Sequence, residues 1–555
     1  MPKPVIEDQY TVARIYFACV VGLLFAESMI QLPSYLFILR TRGRAVLKPS
    51  TRRSKPYTIL HKLFTLPSLI PVVTSHHLPN IFRFLIFAGL NILFGYNRVE
   101  YSTDYKVYGW LTIANGGLAL LLSARSNLFS LVMRIPSSTL LIYHRFIGFA
   151  TFVNATLHFA LNIRHDVVTN QLTGAVEATR IRVGIMAWLS LAIIFATSLP
   201  FVRRHLFEVF YYSHFLFLVF TVGALIHTTN GPEFLLPGLC LWGVDRLIRF
   251  GYNFRSVEAK EIKWYEGDVT KFKLEGIQSL RPGQIAWIQI PGISWFNWHP
   301  FTIASAPGEQ AVVAIRGLGS FAKKVQRLAS GSGGSEKSEG EVNRARNLKI
   351  RVDGPYGVTG EQWGLRSVTV LVAGGIGITP GISIASHIIA RASTMRNVDQ
   401  HSDKQWHIHL LWVIKVVCHA EWFKEDLKTL SLISADPAMP VTLNITIHVT
   451  GSKSPQLKAA TDSQPLNLDT VMEPASQDEV PNTNEPYLYD GPGEVIPGRP
   501  DVEAWMENIK SMRPGMDVAV STCGPRQLLD DARKAAAKAS SEGSLFFVEE
   551  ELFEL

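Results

Sequence analysis

The sequence predicts a multi-domain protein, an α-helical transmembrane bundle followed by an antiparallel β-barrel and a parallel α/β domain. Apolar residues crowd the first 250 positions in stretches long enough for a bilayer core, which takes about 20 helical residues. From about Val257 the pattern changes to short alternating runs separated by turn residues. Beyond residue 362 strand-like and helix-like runs alternate, as in a parallel sheet crossed by helices.

The 555 residues include 54 Lys and Arg against 46 Asp and Glu, a formal charge of +8. A positive-inside bias in the membrane half accounts for much of that excess, so no nucleic-acid partner is expected. Cys19, Cys240, Cys418 and Cys523 show neither paired nor metal-like spacing, which argues against a disulfide framework. No basic region followed by a small-residue cleavage site opens the chain, so no cleaved leader is expected.

The spans fall at about 12–39, 81–96, 107–125, 140–163, 182–200, 207–228 and 234–250. The first is followed by RTRGRAVLKPSTRRSKPY, a basic run that should remain cytoplasmic. Alternation then puts Arg203, Arg204, Arg246 and Arg249 near the cytoplasmic face as well. Residues 57–75 form a rival span that would push the basic run outside. They are therefore expected to be interfacial or packed on the bundle, and residues 1–80 make one N-terminal unit before a second membrane unit at 81–250.

Two of these spans carry paired histidines, His144 with His158 and His214 with His227. Ionisable groups at that depth are expensive and mark functional paths. At 1.5 Å per residue the members of the pairs lie roughly 21 and 19.5 Å apart along their helices, one near each leaflet. The charge-derived topology puts His144 and His214 on the inner side, His158 and His227 on the outer. Two such helices side by side offer each of two haems one imidazole from each helix. A step of 14 residues returns to nearly the same helix face, whereas a step of 13 does not, and Gly223 offers a place for a bend.

The runs AKEIKWYEG, DVTKFKLEG and GQIAWIQIP are expected to be barrel strands within 256–362, interrupted by the loop GSGGSEKSEGEVNRAR. His299, Pro300, Phe301, Thr302 and Ser305 lie in HPFTIAS at the end of the third run, where an extended strand can present amides, a hydroxyl and an apolar wall to a flavin. Arg316, Gly319 and Ser320 lead into a helix near Ala322 whose N-terminus suits a pyrophosphate.

In the domain at 363–555 the strand VTVLVA runs directly into Gly374, Gly375 and Gly377, with Thr379 as a helix N-cap and Pro380 as its first residue. Cys523, Gly524 and Pro525 end a later strand, and ligands in open α/β sheets bind beyond strand carboxyl ends. The polar stretch at about 452–500 reads as a disordered insertion.

Taken in order, the spaced histidines, HPFTIAS, GPYG, GGIGITP and CGP resemble the fungal ferric-chelate reductases, within the larger group that includes the NADPH oxidases. The resemblance covers about 85–555. It implies a ferredoxin-reductase-like module after the bundle, and two b-type haems with His144 opposite His214 and His158 opposite His227. It further implies FAD at HPFTIAS and the GSF turn, NADPH at GGIGITP, and Cys523 as the catalytic residue of hydride transfer. Lys415 is a candidate for the 2′-phosphate of NADPH. Family members often end in an aromatic residue over the flavin, and the nearest candidate here is Phe553, ahead of the terminal Leu555.

The activity so implied is electron transfer from cytoplasmic NADPH through FAD and two haems to a ferric chelate or siderophore outside. The setting is a multi-pass protein in lipid, in the plasma membrane or an organelle, with an iron permease or oxidase partner left open. A superoxide-generating oxidase and a non-catalytic membrane protein with a degenerate reductase domain are the alternatives. Asn162 stands one turn beyond His158, where the oxidases usually carry another histidine, and Arg164 and His165 follow it, which favours iron over oxygen as acceptor.

Overall fold

The computed structural model of the chain describes residues 8–41, 52–67, 78–96, 105–124, 135, 137–253, 255–278, 281–294, 297–305, 310–317, 319–330, 348–356, 363–396, 406–451 and 489–551. The membrane half comprises α1 (Gln9–Thr41), α2 (Lys55–Thr65), α3 (Leu78–Gly95), α4 (Tyr105–Leu122), α5 (Ser137–Val168), α6 (Thr179–Ser198), α7 (Phe207–His214), α8 (Phe217–His227) and α9 (Pro232–Ile248). In lipid every backbone amide must be satisfied within its own segment, and apolar helices do this. Among the described residues, Gln9–Met29, Thr139–Val168, Thr179–Ser198 and Phe207–His227 are long and apolar enough to cross a membrane.

Polar side chains fasten this bundle internally. Tyr16 of α1 donates to Asn115 of α4 at 2.7 Å, and Asn91 of α3 donates to the Tyr16 oxygen at 2.7 Å. Asn154 of α5 completes the chain by donating to Asn91 at 2.8 Å. Such bonds act as interhelical glue where lipid offers no hydrophobic drive for association.

The span 207–228 is broken, but not at Gly223. Phe215 and Leu216 have ψ near zero, −13° and −10°. Their amides bond three residues back, to the carbonyls of Tyr212 (3.2 Å) and Ser213 (3.0 Å). This tight turn interrupts the 100° phase between His214 and His227. Gly223 serves a different need: a Cβ there would come within 3.0 Å of Ala187 in α6, so its absence lets α8 and α6 pack closely.

The next unit is one antiparallel sheet of β1 (Arg255–Tyr265), β2 (Val269–Gln278), β3 (Ile285–Gln289), β4 (His299–Thr302), β5 (Gln310–Arg316) and β6 (Leu348–Tyr356). The order is β4-β3-β6-β1-β2-β5, and a bridge between Ile303 and Val313 joins its two edges into a near-barrel. Alternate residues such as Phe272, Leu274, Ile288 and Val313 fill the inside, and α10 (Ser320–Ser330) covers one opening with Phe321 and Val325. The bundle is pinned to this barrel by Arg249, just past α9, which donates to the buried Asp353 of β6 at 2.8 Å.

The last unit contains β7 (Val368–Gly374), α11 (Ile378–Arg396), β8 (Trp406–Ile414), α12 (Lys424–Ser434), β9 (Val441–Val449), β10 (Glu494–Pro497), α13 (Val502–Met512), β11 (Val518–Cys523), α14 (Arg526–Ala539) and β12 (Phe546–Glu551). All six strands are parallel, in the order β10-β9-β8-β7-β11-β12. Strands β7 and β11 are buried throughout because helices cover both faces. Chain order reverses between β7 and β11, which makes their carboxyl ends the topological switch point.

The polar stretch expected to lack structure ends differently. Residues 452–488 lie outside the described ones, but Glu494–Pro497 pairs with Thr446–Val449 as an edge strand. An edge tolerates polar residues and a closing proline because one side of the strand needs no partner.

Helix α2 lies in the stretch expected to be interfacial or packed on the bundle, and it has a partner that the sequence did not reveal. Its polar face docks on the nucleotide domain: the Arg53 guanidinium pairs with Asp517 at 3.0 and 2.7 Å, and His61 Nε2 donates to Phe546 O at 2.9 Å. Arg533 of α14 donates to Thr65 O at 3.2 Å. These partners lie more than 450 residues away in sequence, beyond the reach of any local pattern. Residues 68–75 of the rival span lie outside the described ones.

Candidate functional site

In the bundle, α5 and the α7–α8 pair bring four imidazoles together in two facing pairs. The ring centroids of His144 and His214 are 6.2 Å apart, and those of His158 and His227 are 6.3 Å apart. Imidazoles sharing one metal through nitrogens at about 2 Å would have centroids roughly 6 Å apart. Three of the rings are oriented from behind. Nδ1 of His144 donates to Ala119 O (3.0 Å), that of His158 to Tyr105 O (2.9 Å) and that of His227 to Arg180 O (2.8 Å). A back bond of this kind fixes the tautomer and leaves Nε2 free as a ligand. His214 Nδ1 is buried with no hydrogen-bond partner. Neighbouring helices make room through glycines: a Cβ on Gly109 would meet the His158 ring at 3.0 Å, and one on Gly184 the His227 ring at 2.6 Å. The donor set and spacing fit two bis-histidine haems.

Toward the barrel a run of rings continues from the inner pair. His214 lies 5.3 Å from Phe210, Phe210 5.9 Å from Phe207, and Phe207 6.4 Å from His299. His299 stacks on Phe321 at 4.1 Å. Desolvation pushes its pKa down to about 4, so the ring is neutral at physiological pH. Nε2 of His299 and Oγ1 of Thr302 are buried without hydrogen-bond partners. Two orphaned polar atoms on the HPFTIAS strand fit a ligand that supplies the missing bonds, as FAD would.

The other HPFTIAS residues are structural neighbours of these. Pro300 and Phe301 pair with Trp287 and Ala286 across β3, while the Ser305 carbonyl accepts from Ser383 of α11 at 2.9 Å. Arg316, assigned to the flavin turn in sequence, lies between the two domains. Its guanidinium stands over Trp422 at 5.5 Å and would be 3.4 Å from a Cβ on Gly375. Gly319 is exposed and Ser320 opens α10.

At the switch point the glycine loop and the Cys-Gly-Pro turn touch. A Cβ on Gly374 would fall 2.4 Å from Pro525, and one on Gly377 2.5 Å from the Cys523 carbonyl. Gly524 meets Gly374 backbone to backbone. Gly375 holds φ +57°, a conformation that favours glycine. The helix begins at Ile378 and is preceded by a 3₁₀ turn at Gly375–Gly377, so Thr379 and Pro380 lie inside the first turn rather than at the cap. Thr379 accordingly donates its hydroxyl to Ile376 O at 3.2 Å, because the winding has already started upstream.

Cys523 ends β11 in register with Glu551 of β12 and is buried. Desolvation, with Glu551 and Glu550 nearby, pushes its thiol well above the ordinary range and keeps it protonated. Desolvation and Glu549 push the Glu551 carboxyl up to about 8. Sequence reasoning missed Glu551, though a carboxylate run closing the apolar strand SLFFVEE was a usable signal. Lys415 is exposed just past β8, on the same carboxyl edge. Phe553 lies outside the described residues. At the far end of α5 from His144, Asn162 donates to Asp166 at 3.3 Å, and the His165 ring lies 5.3 Å from Tyr105.

Comparison with known proteins gives matches in the same order. Residues 108–225 match the ferric reductase like transmembrane component, 254–360 an FAD-binding domain, and 366–537 the ferric reductase NAD binding domain. The chain is 30% identical over 282 residues to probable ferric reduction oxidase 1 of Arabidopsis thaliana, covering 49% of this chain and 39% of that one. It is 24% identical to a superoxide-generating NADPH oxidase heavy chain of Dictyostelium discoideum, covering 62% and 49%. With NADPH oxidase 1 of Mus musculus it shares 25%, covering 64% and 63%. The matches thus span about 40–60% of the length of these relatives. Among solved structures, a ferredoxin NADP+ reductase from Neisseria gonorrhoeae with bound FAD and NADP aligns at 12% identity and TM-score 0.30, over 54% of this chain and 99% of that one. In chain order, then, a segment matching a ferric-reductase-like transmembrane component is followed by one matching an FAD-binding domain and one matching a ferric reductase NAD binding domain.

Proposed function

We propose that the protein is a transmembrane ferric-chelate reductase that carries electrons from cytoplasmic NADPH to ferric iron on the opposite side of the membrane. The observation that carries this reading is the two facing imidazole pairs, at 6.2 and 6.3 Å, between α5 and the α7–α8 pair. FAD and bis-histidine haems, when bound, would supply the conversion of a hydride into single electrons and their relay across the membrane. His144 and His214 would hold the inner haem, His158 and His227 the outer. The back-bonded Nδ1 atoms of His144, His158 and His227 hold those rings in the ligating tautomer.

On the cytoplasmic side, the orphaned atoms of His299 and Thr302 would bind the flavin, and Arg316 would face its phosphates from beside Gly375. The Gly374–Gly377 loop and Cys523-Gly524-Pro525 would bind NADPH at the switch point, with Lys415 reaching the 2′-phosphate. Cys523 as a neutral thiol fills the space at the strand end without placing a charge beside the hydride path. Phe207 and Phe210 fill the gap between His299 and His214 with rings rather than water.

The acceptor is read from the outer rim. Asn162 is tied to Asp166 and offers no imidazolium to stabilise the charge on superoxide, while exposed Arg164 suits an anionic iron chelate such as citrate. The test is NADPH-dependent ferric-chelate reduction in isolated membranes, with and without oxygen and superoxide dismutase. Reduction that persists in both conditions is the expected result. Loss of the ferric signal on adding dismutase or removing oxygen would instead make the protein a superoxide-generating oxidase.

A further inference from the structure

The polar side of α2 is occupied by the nucleotide domain, with Thr58 and Thr65 buried and His61 bonded to Phe546 O. Its opposite side has no partner of comparable extent among the described residues. Tyr57, Ile59, Leu60, Leu63, Phe64 and Leu66 are all exposed, between 36% and 58%. At 100° per residue these six cover a continuous arc of roughly 180°. Lys55 and Lys62 stand together at one border of that arc, next to Arg52.

We propose that α2 is an interfacial helix whose apolar arc lies in the cytoplasmic leaflet while its polar side holds the nucleotide domain under the bundle. Three observations select lipid as the occupant. Helix α2 leads within 13 residues into the apolar α3, and the Phe64 ring already lies 6.1 Å from Phe82 of α3, so the arc sits beside a helix whose own Phe82, Leu85, Ile86, Ile92 and Leu93 are exposed. Lys55 and Lys62 at the border match an anionic headgroup layer, while Arg52 beside them pairs with Glu542 of the nucleotide domain at 2.7 Å. The arc also carries two aromatic rings and no charge, the composition of a face that rests at the acyl boundary. Lipid contact and domain docking then share one short segment, residues 53–66, so the membrane surface itself positions the nucleotide domain. This reading concerns the membrane and the docked domain alone, and holds for either acceptor.

The test is photolabelling of the full chain in nanodiscs containing a lipid with a diazirine high on its acyl chain, mapped by peptide mass spectrometry. In discs with phosphatidylserine, residues 55–66 are expected to be labelled at Ile59, Leu60, Leu63 and Phe64, and α3 to be labelled in parallel as a control. The double substitution K55E/K62E should reduce α2 labelling several-fold, to the level seen in phosphatidylcholine alone. I59E/L63E should abolish it and speed amide exchange in α14 and β12, which lose their anchor. Labelled α3 beside unlabelled α2 in the wild-type chain would overturn the proposal without recourse to any variant. Cross-links from α2 to a second copy in place of lipid adducts would do the same.

Discussion

Replacing Arg249 by Met removes the ion pair that joins the end of the bundle to the FAD barrel. The guanidinium lies 2.8 Å from the Asp353 carboxylate through Nε, and its Nη1 is 3.5 Å from Asp245. Arg249 is 7% exposed, Asp353 0% and Asp245 3%, so the substitution leaves two desolvated carboxylates without this cation. Removing one partner of a buried pair costs about 3–5 kcal/mol. At a factor of ten per 1.4 kcal/mol, amide exchange in β6 should accelerate by about two to three and a half orders of magnitude. Exchange mass spectrometry on residues 348–356 and on the first turns after α9 measures this directly. The double substitution R249M/D353N should cost less than the two single ones combined, with a coupling of about 1.5 kcal/mol or more. Single effects below about 1 kcal/mol, or effects that simply add, would show that the pair does not hold the two units together.

Cys523→Ala is expected to slow flavin reduction by NADPH while leaving FAD bound, because the thiol ends β11 against the Gly377 turn. Stopped-flow bleaching at the wild-type rate would remove Cys523 from the hydride-transfer site. Glu551 gives a pH signature. Its carboxyl is raised to about 8 when folded, against roughly 4.3 in an unfolded chain. The folded state therefore binds the extra proton between those values, so stability falls as pH rises through that window and levels off above about 8. Denaturation from pH 5 to 9 should show this slope in the wild type and a flatter one in E551Q, and equal slopes would place the carboxyl in water.

The fold class was legible because each unit has its own hydrophobic period. Histidine spacing and long apolar runs gave the membrane helices, alternation gave β2 and β3, and continuous Val/Ile/Leu runs gave β7 and β8. What stayed hidden depends on contacts between distant residues. The turn at Phe215–Leu216 carries no helix breaker, whereas Gly223, which could bend a helix, is used for contact with Ala187. Helix α2 could be recognised as amphipathic, but its partners Asp517, Phe546 and Arg533 lie at the far end of the chain. Arg316 reads as part of the flavin turn, and only the closed interface brings it against Gly375 and Trp422. The glycine loop and Cys523-Gly524-Pro525 were legible as strand ends, and the sheet order explains why they meet.

The central claim is tested most directly by haem stoichiometry in single histidine variants of the purified protein. Wild type should carry two low-spin b-type haems per chain. His144→Ala and His214→Ala should each remove the same haem, and His158→Ala and His227→Ala the other, each variant retaining one with an unshifted spectrum. Loss of the same haem in His158→Ala and His214→Ala, or a wild-type chain that binds fewer than two, would contradict the pairing at 6.2 and 6.3 Å.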